Sequence, residues 1–552
     1  MKQEQDNKIR IIPLGGLGAI GCNMTLFEYH DEMIIVDCGI MFPTEEMPGI
    51  DFVIPDLSYV IKNRQKVKGI IITHGHEDHI GAVPFLLQEV TAPLFATKLT
   101  LGFIQSRLEE RPPREMPTFV EILPGTPLQI GSFLLDFIRV NHSIIDGVGL
   151  AIQTPIGTII HSGDFKIDFS PMDGRVTELS RFSEYGEKGV LLLMSDSTNA
   201  LRKGYTRSEN VLAEKLTDIF SAARGRIIVA SFASNIHRIQ QVLDVAAKYN
   251  RKVVVSGITM LKNVEIAKNL GYLSYREGLI IDIKEAGSVA DRKLVVICTG
   301  SQGEPMSALS RMAAGTHKHF TTAGTDTVII TASVIPGNER MVNTVVNSLM
   351  RQGADVYYEQ DGDIHVSGHA AQEELKLMIT LCKPRFFMPI HGEYRHLKAH
   401  SEIAESLKIK PSRIKIAENG SILELTKKSF EKTGTLHLNQ IFVDGNDIED
   451  LGSNVIKERK TMSSEGMVLI TAVCSDGMLL RQPDVITRGF ITSRNSKIND
   501  ILRRDAEEQL HKLLADGLNE KDIVPFLKKN LRNSIYKLTR RNPLIEVRIL
   551  EV

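Results

Sequence analysis

The chain has 552 residues, 42% of them hydrophobic and 24% charged, and a net charge of −1. That length predicts three or four domains, and the composition excludes a disordered or fibrous chain. It gives no bulk support for nucleic-acid binding, so any such surface must be a local groove. No stretch is apolar enough to cross a bilayer, and the opening MKQEQDNKIR lacks the apolar stretch of a signal peptide. The five scattered cysteines, Cys22, Cys38, Cys298, Cys382 and Cys474, read as small buried residues in a reducing compartment. The expectation is a cytoplasmic protein with no membrane partner.

In chain order, residues 10–13, 24–29 and 33–36 are short apolar or alternating runs, which predicts strands. Residues 67–72 predict a buried strand, 81–89 a helix, and 133–140 and 158–161 further strands, together an α/β core. From about Ser208 helices and strands alternate: helix 209–223, strand 226–230, helix 236–249, strand 252–255, helix 261–269 and strand 294–298, then strands 327–331 and 354–358. That pattern predicts an inserted parallel sheet. Residues 444–464 are polar and charged and read as a linker. Beyond it come strand 467–472, helices 498–515 and 522–539, and strand 545–550. Ile523, Leu527, Leu531, Ile535 and Leu538 form one apolar stripe. Lys528, Lys529, Arg532, Lys537, Arg540 and Arg541 make the same helix basic, which reads first as a solvated face and second as an RNA contact.

Gly16, Gly18 and Gly21 match GxGxxG after a strand, with Asp37 downstream. Residues 23–29 alternate as a strand does, so no helix N-terminus follows to cradle a phosphate. A glycine-rich turn near the site is the preferred reading.

The densest chemistry is Thr73-His74-Gly75-His76-Glu77-Asp78-His79, at the end of a predicted buried strand. Three buried imidazoles would each need a partner, whereas a divalent cation satisfies them together. Imidazole and carboxylate suit zinc, and manganese fits the same mixed set.

This HxHxDH segment resembles the signature of the metallo-β-lactamase superfamily. The resemblance implies His74, His76 and His142 on one metal, Asp78 and His79 on a second, Asp164 between them, and Asp37 as an orienting group behind the ligands. The last ligand is sought at His391, in Met388-Pro-Ile-His391-Gly-Glu393, far downstream across the inserted region. That layout resembles the β-CASP nucleases, as do Ser195-Asp196-Ser197-Thr198 and His365-Val-Ser367-Gly368-His369. The strings DSTNA, FASNIHR, TGSQGEP, HVSGHA and MPIHGEYRHL resemble the ribonuclease J family.

The resemblance implies an αββα sandwich over 1–207 and 366–444, a β-CASP α/β domain over 208–365, a linker over 445–464, and an oligomerising α+β domain over 465–552. It implies a ribonuclease with two Zn2+ per subunit, or Mn2+, acting 5′-to-3′ on 5′-monophosphate ends and cutting internally, in messenger decay and ribosomal RNA maturation. Two such metals activate a water for attack on phosphorus. His369 is then the candidate acid, oriented by Asp196, against a plain tie between domains. Ser234, Asn235 and His237, at a helix start, with His365, Ser367, Gly368 and His369 opposite, would hold the 5′-phosphate. Asp51 and Asp444 would join a structural Ca2+ site. Homodimers or homotetramers and an RNA helicase or degradation complex are the implied partners. His317, His319, His396 and His400 read as ordinary surface or packing residues.

Three rivals remain. The insertion argues against a small-molecule lactonase or thioesterase. A DNA nuclease of the same fold differs only in substrate. A non-catalytic RNA-binding scaffold is disfavoured because all seven ligand positions are filled.

Overall fold

The computed structural model describes residues 7–552 except 45, 305, 333, 335–337, 359–363, 365, 446, 450–452, 490–494, 517 and 519. Among the described residues, the short apolar runs of the first part of the chain pair into two sheets. The first holds Ile9–Gly15, Met24–Tyr29, Glu32–Val36, Val67–Ile71, Leu94–Ala96 and Phe119–Glu121 in that order, with Ser421–Leu425 and then Phe430–Thr435 beside Ile9–Gly15. The second runs Phe386–Ile390, Val190–Asp196, Gly157–His161, Val148–Thr154, Phe133–Arg139 and Leu128–Ile130. Phe27 and Ile34 of the first sheet share a buried core with Phe137, Leu150 and Met388 of the second, as period-two alternation requires of two facing sheets. The outer residues of the second sheet, among them Ala151, Ile160 and Leu193, pack on Phe182, Met378 and Ile403 from helices Leu179–Lys188, Gln372–Cys382 and Tyr394–Ser406. Helix Lys98–Glu110 packs near strand Phe119–Glu121 of the first. The layers are those of the expected αββα sandwich.

Strand register explains how distant residues meet. Val190–Asp196 and Phe386–Ile390 are parallel with Asp196 opposite Ile390, so Asp196 and His391 leave neighbouring strands at the same end. Val36 opposes Ile71 in another parallel pair, which brings Asp37 beside the Thr73–His74 turn. His161 opposes Met194, with Asp164 just beyond. Parallel pairing thus gathers the carboxyl ends of these strands at one edge, where α/β sheets place their sites.

The inserted region forms a wholly parallel sheet in the order Lys252–Ser256, Leu294–Cys298, Ile227–Ala230, Thr327–Ile330, Asp355–Tyr357. Its strands read as continuous apolar runs because helices cover both faces. The helix expected at 261–269 begins earlier, at Ile258, after Gly257 at φ +124.

The chain divides into two compact units, one of 1–42 and 53–440, the other of 43–52 and 441–552. In the second unit the polar segment 444–464 is not an irregular linker: Ser453–Glu465 is a helix. Its Arg459 donates to the carbonyls of Pro48 and Gly49 and pairs with Asp444, so polar anchoring replaces the apolar stripe that sequence periodicity looks for. Strand Met467–Ser475 then pairs antiparallel with Asp484–Arg488 and parallel with Leu544–Glu551. Helices Asn495–Ala515 and Glu520–Thr539 cover one face of this sheet. Ile523, Leu527, Leu531 and Ile535 are buried as the stripe predicts, but Leu538, near the helix end, is 45% exposed. All five cysteines are free thiols. No described helix is long and apolar enough to cross a membrane.

Candidate metal centre and active site

The His74–His79 segment leaves strand Val67–Ile71 and makes a tight turn into the short helix Glu77–Ile80. Ring nitrogens of His74, His76 and His142 converge, with His76 Nδ1 3.0 Å from both His74 Nε2 and His142 Nε2. Asp78, His79, Asp164 and His391 form a second cluster, and Asp164, Asp196, His369 and His391 a third. Asp164 Oδ2 is common ground. It lies 3.2 Å from His79 Nε2, 3.4 Å from His391 Nε2 and 3.9 Å from the Nε2 atoms of both His74 and His142. The seven expected ligand positions are therefore together.

His74, His79, His142 and His391 are each aimed by what the other ring nitrogen meets, which fixes tautomer and ring orientation. Asp37 accepts from His79 Nδ1 at 2.8 Å and from the Thr73 backbone N–H at 2.8 Å. The Thr73 hydroxyl bridges Asp37 Oδ2 at 2.9 Å and His74 Nδ1 at 3.1 Å. His142 Nδ1 donates to the Gly368 carbonyl at 2.7 Å, and His391 Nδ1 meets the Thr198 hydroxyl at 2.6 Å. Asp37 and His391 sit at φ +62 and +55, a left-handed backbone that L residues adopt only where surroundings enforce it.

Electrostatics separate the two sides. Burial, with neighbouring imidazoles adding to it, holds His74 and His142 well below the usual histidine range, and burial brings His76 down to about 4. Burial also pulls His391 down, but the carboxylates of Asp164, Asp196 and Asp78 outweigh it and raise it to about 9. Burial opposes ionisation of Asp164, yet the surrounding His391, His79 and His74 hold it well below the carboxylate range. The neutral, buried imidazoles of His74, His76 and His142, with the histidine nitrogens and carboxylate oxygens gathered around Asp164, are the donor chemistry of a divalent cation, and the residues present fit a metal centre.

His369 Nδ1 lies 2.7 Å from Asp196 Oδ2, while Asp196 Oδ1 accepts from the Thr198 hydroxyl at 2.8 Å. Asn199 and Thr206 both donate to the His369 carbonyl, at 2.9 and 2.7 Å. Asn235 caps helix Ile236–Lys248, its side chain accepting from Arg238 N–H at 3.0 Å. His237, in the first turn of that helix, lines a small pocket with Arg139, Asn141, His142 and Arg175, and its buried Nε2 has no hydrogen-bond partner among the described residues. Ser367 Oγ accepts from Asn199 at 2.8 Å. His365 lies outside the described residues. Asp51 accepts from Gly445 N–H, and Asp444 pairs with the Arg459 guanidinium.

Gly16, Gly18 and Gly21 all have positive φ, and Gly18 N–H donates to Gly392 O at 2.9 Å: the glycine motif is a turn against the residue after His391. His400 is buried against Phe387 and Ser197, a packing residue as expected.

Four family models match the chain. They are the metallo-beta-lactamase superfamily over 17–186, the ribonuclease J beta-CASP domain over 224–349, a Zn-dependent metallo-hydrolase RNA specificity domain over 362–413, and the ribonuclease J C-terminal domain over 454–552. The chain is 42% identical to Ribonuclease J of Thermus thermophilus, across 98% of this chain and 95% of that one. The chain belongs to the ribonuclease J family. Ribonuclease J2 of Bacillus subtilis is 38% identical across 100% of both chains. A crystal structure of a protein of unknown function from Enterococcus faecalis V583 shares the fold, with a TM-score of 0.53 and 17% identity over 76% of this chain and 100% of that one. The metal-binding character of the centre follows from both the matched models and the cluster.

Sequence reading quoted Thr73 and Thr198 only as members of motifs and assigned no role to them or to Thr206, whose hydroxyls support the site. It also missed Glu374, fully buried, whose carboxylate accepts from the backbone N–H groups of Ile167, Thr206 and Ala371 at 2.7, 2.7 and 2.8 Å. A glutamate in the first turn of a helix after the HVSGHA string was the available signal.

Proposed function

We propose that this chain hydrolyses RNA phosphodiester bonds with two zinc ions, working 5′-to-3′ from 5′-monophosphate ends and also cutting internally. The observation that carries the reading is Asp164, whose Oδ2 faces histidines of both clusters within 3.9 Å. His74, His76 and His142 would hold one zinc and Asp78, His79 and His391 the other, with Asp164 shared. When bound, the pair supplies Lewis acidity to the phosphoryl oxygens and acidifies an attacking water. His369 donates the proton to the leaving 3′-oxygen, and Asp196 holds its ring at 2.7 Å for that transfer. Ser234, Asn235 and His237, at the start of helix Ile236–Lys248, with Ser367, Gly368 and His369, hold the terminal phosphate. A 5′-triphosphate is longer and more charged and fits that pocket poorly. The five free thiols suit a cytoplasmic location. Exposed Ile486 and Leu550 on the C-terminal sheet suit association with a second copy.

The test uses one RNA with either 5′ end and zinc or manganese, beside His76→Ala and Asp196→Asn. The expected result is mononucleotide release favouring the monophosphate. His76→Ala should abolish it, and Asp196→Asn should lower it about 10²–10⁴-fold with metal content retained. Indifference to the 5′ end would sink the pocket, equal cleavage of DNA would favour the DNA-nuclease rival, and zinc binding without cleavage would favour the scaffold.

A further inference from the structure

Glu77 lies between His76 and Asp78, yet its carboxylate joins none of the ligand clusters among the described residues; it pairs with Arg107 instead. Arg107, on helix Lys98–Glu110, also stands 3.6 Å from Glu110, and Glu110 pairs with Lys262 Nζ at 2.7 Å. Lys262 belongs to helix Ile258–Asn269 of the inserted layer. A chain of alternating charge therefore runs from that layer to the loop carrying His76.

A second tether starts just past the same helix. The Tyr272 hydroxyl donates to Asp146, which sits at φ +64 in the loop between His142 and strand Val148–Thr154. Between the two tethers the helices are in close approach: a Cβ on Gly102 would stand 2.8 Å from Ile266 Cγ2 and 3.0 Å from Leu270 Cδ1. The histidines reached in this way differ from those of the second cluster. His79 and His391 are aimed by Asp37 and Thr198 from within the sandwich. The His76 side chain, among the described residues, meets only the ring nitrogens of His74 and His142, so its aim depends on the backbone of its own loop.

We propose that Lys262 and Tyr272 are positioning residues: docking of helix Ile258–Asn269 holds the loops of His76 and His142 in register and so sets the affinity of the three-histidine cluster for a divalent cation. Ligating side chains must be held to within roughly 0.5 Å, and partners behind the ligands are worth about 10–100-fold in metal affinity. The proposal rests on the two-metal reading above.

The test is zinc titration of the metal-stripped full chain against a chromophoric chelator, for wild type, Lys262→Met, Tyr272→Phe, the double variant and Lys262→Arg, with thermal unfolding of each metal-free protein. The double variant should bind one zinc about tenfold more weakly and the other as wild type. Lys262→Arg should restore most of the loss from Lys262→Met, and the metal-free midpoints should not move. Zinc affinities unchanged within about twofold of wild type, or a loss matched by an equal fall in metal-free stability, would overturn it. A wild-type chain that binds no zinc would overturn this inference and the metal reading together.

Discussion

Gly368 meets a constraint that only a hydrogen side chain satisfies. Its carbonyl aims His142 through a 2.7 Å hydrogen bond, and a Cβ at that position would stand 2.5 Å from the same His142 Nδ1. Gly368→Ala must push the imidazole away from Asp164. We expect a fall of about 10–100-fold in turnover and a lower unfolding midpoint, because the same Cβ would also stand 2.8 Å from the Ser143 backbone nitrogen. Gly287→Ala, with nothing within 4 Å, serves as the control. Turnover within about threefold of wild type would show that the ring relaxes freely. At this scale the candidate ligands were legible because their chemistry is rare: three histidines and an aspartate in one turn have few other uses. Thr73, Thr198 and Thr206 were not, because a threonine becomes a support only through a partner distant in sequence, as Thr198 does through His391.

Helix Ile236–Lys248 docks on the sandwich through buried charge. Arg238, 1% exposed, pairs with Glu209 at 2.7 Å, and Glu209 also meets Lys166 at 3.3 Å, with Asp168 3.7 Å from that lysine. Among the contacts of the described residues, these two cations and two anions balance in a buried network. Arg238→Met leaves the anions in excess, and breaking such a network costs about 3–5 kcal/mol. A urea midpoint lowered by that amount is the expected result, and a loss under about 1 kcal/mol would mean that water reaches Glu209 in the variant. Apolar periodicity located this helix to within a residue of its end, yet the network was invisible, because Lys166 and Arg238 read as ordinary surface charge until tertiary structure buries them. The same blindness explains Ser453–Glu465: that helix is anchored by Arg459 rather than by an apolar stripe, so its composition imitates a linker.

Across the whole chain, the alternation of helices and strands from Ser208 revealed the inserted sheet, and the family resemblance pointed to His391 across it. What spacing cannot supply is register. Asp196 and His391 meet only because parallel pairing sets Asp196 opposite Ile390, a consequence of a sheet closed by residues far apart in sequence. Among the described residues, every residue of the metal clusters lies in the unit formed by 1–42 and 53–440, and none in the unit of 43–52 and 441–552. A ligand that binds only the folded form stabilises what it binds, by about 2.7 kcal/mol at a hundredfold excess over its dissociation constant. Metal removal should therefore loosen one unit and spare the other. Hydrogen exchange with and without a chelator reads this directly. Amides of Val67–Ile71 and Phe386–Ile390, whose ends carry His74 and His391, should exchange faster once metal is removed, while those of Met467–Ser475 keep their rate. Equal acceleration in both units would mean that they unfold as one. Unchanged exchange throughout would mean that the histidine clusters hold their shape without metal, because the Asp37, Thr198 and Gly368 contacts already fix them.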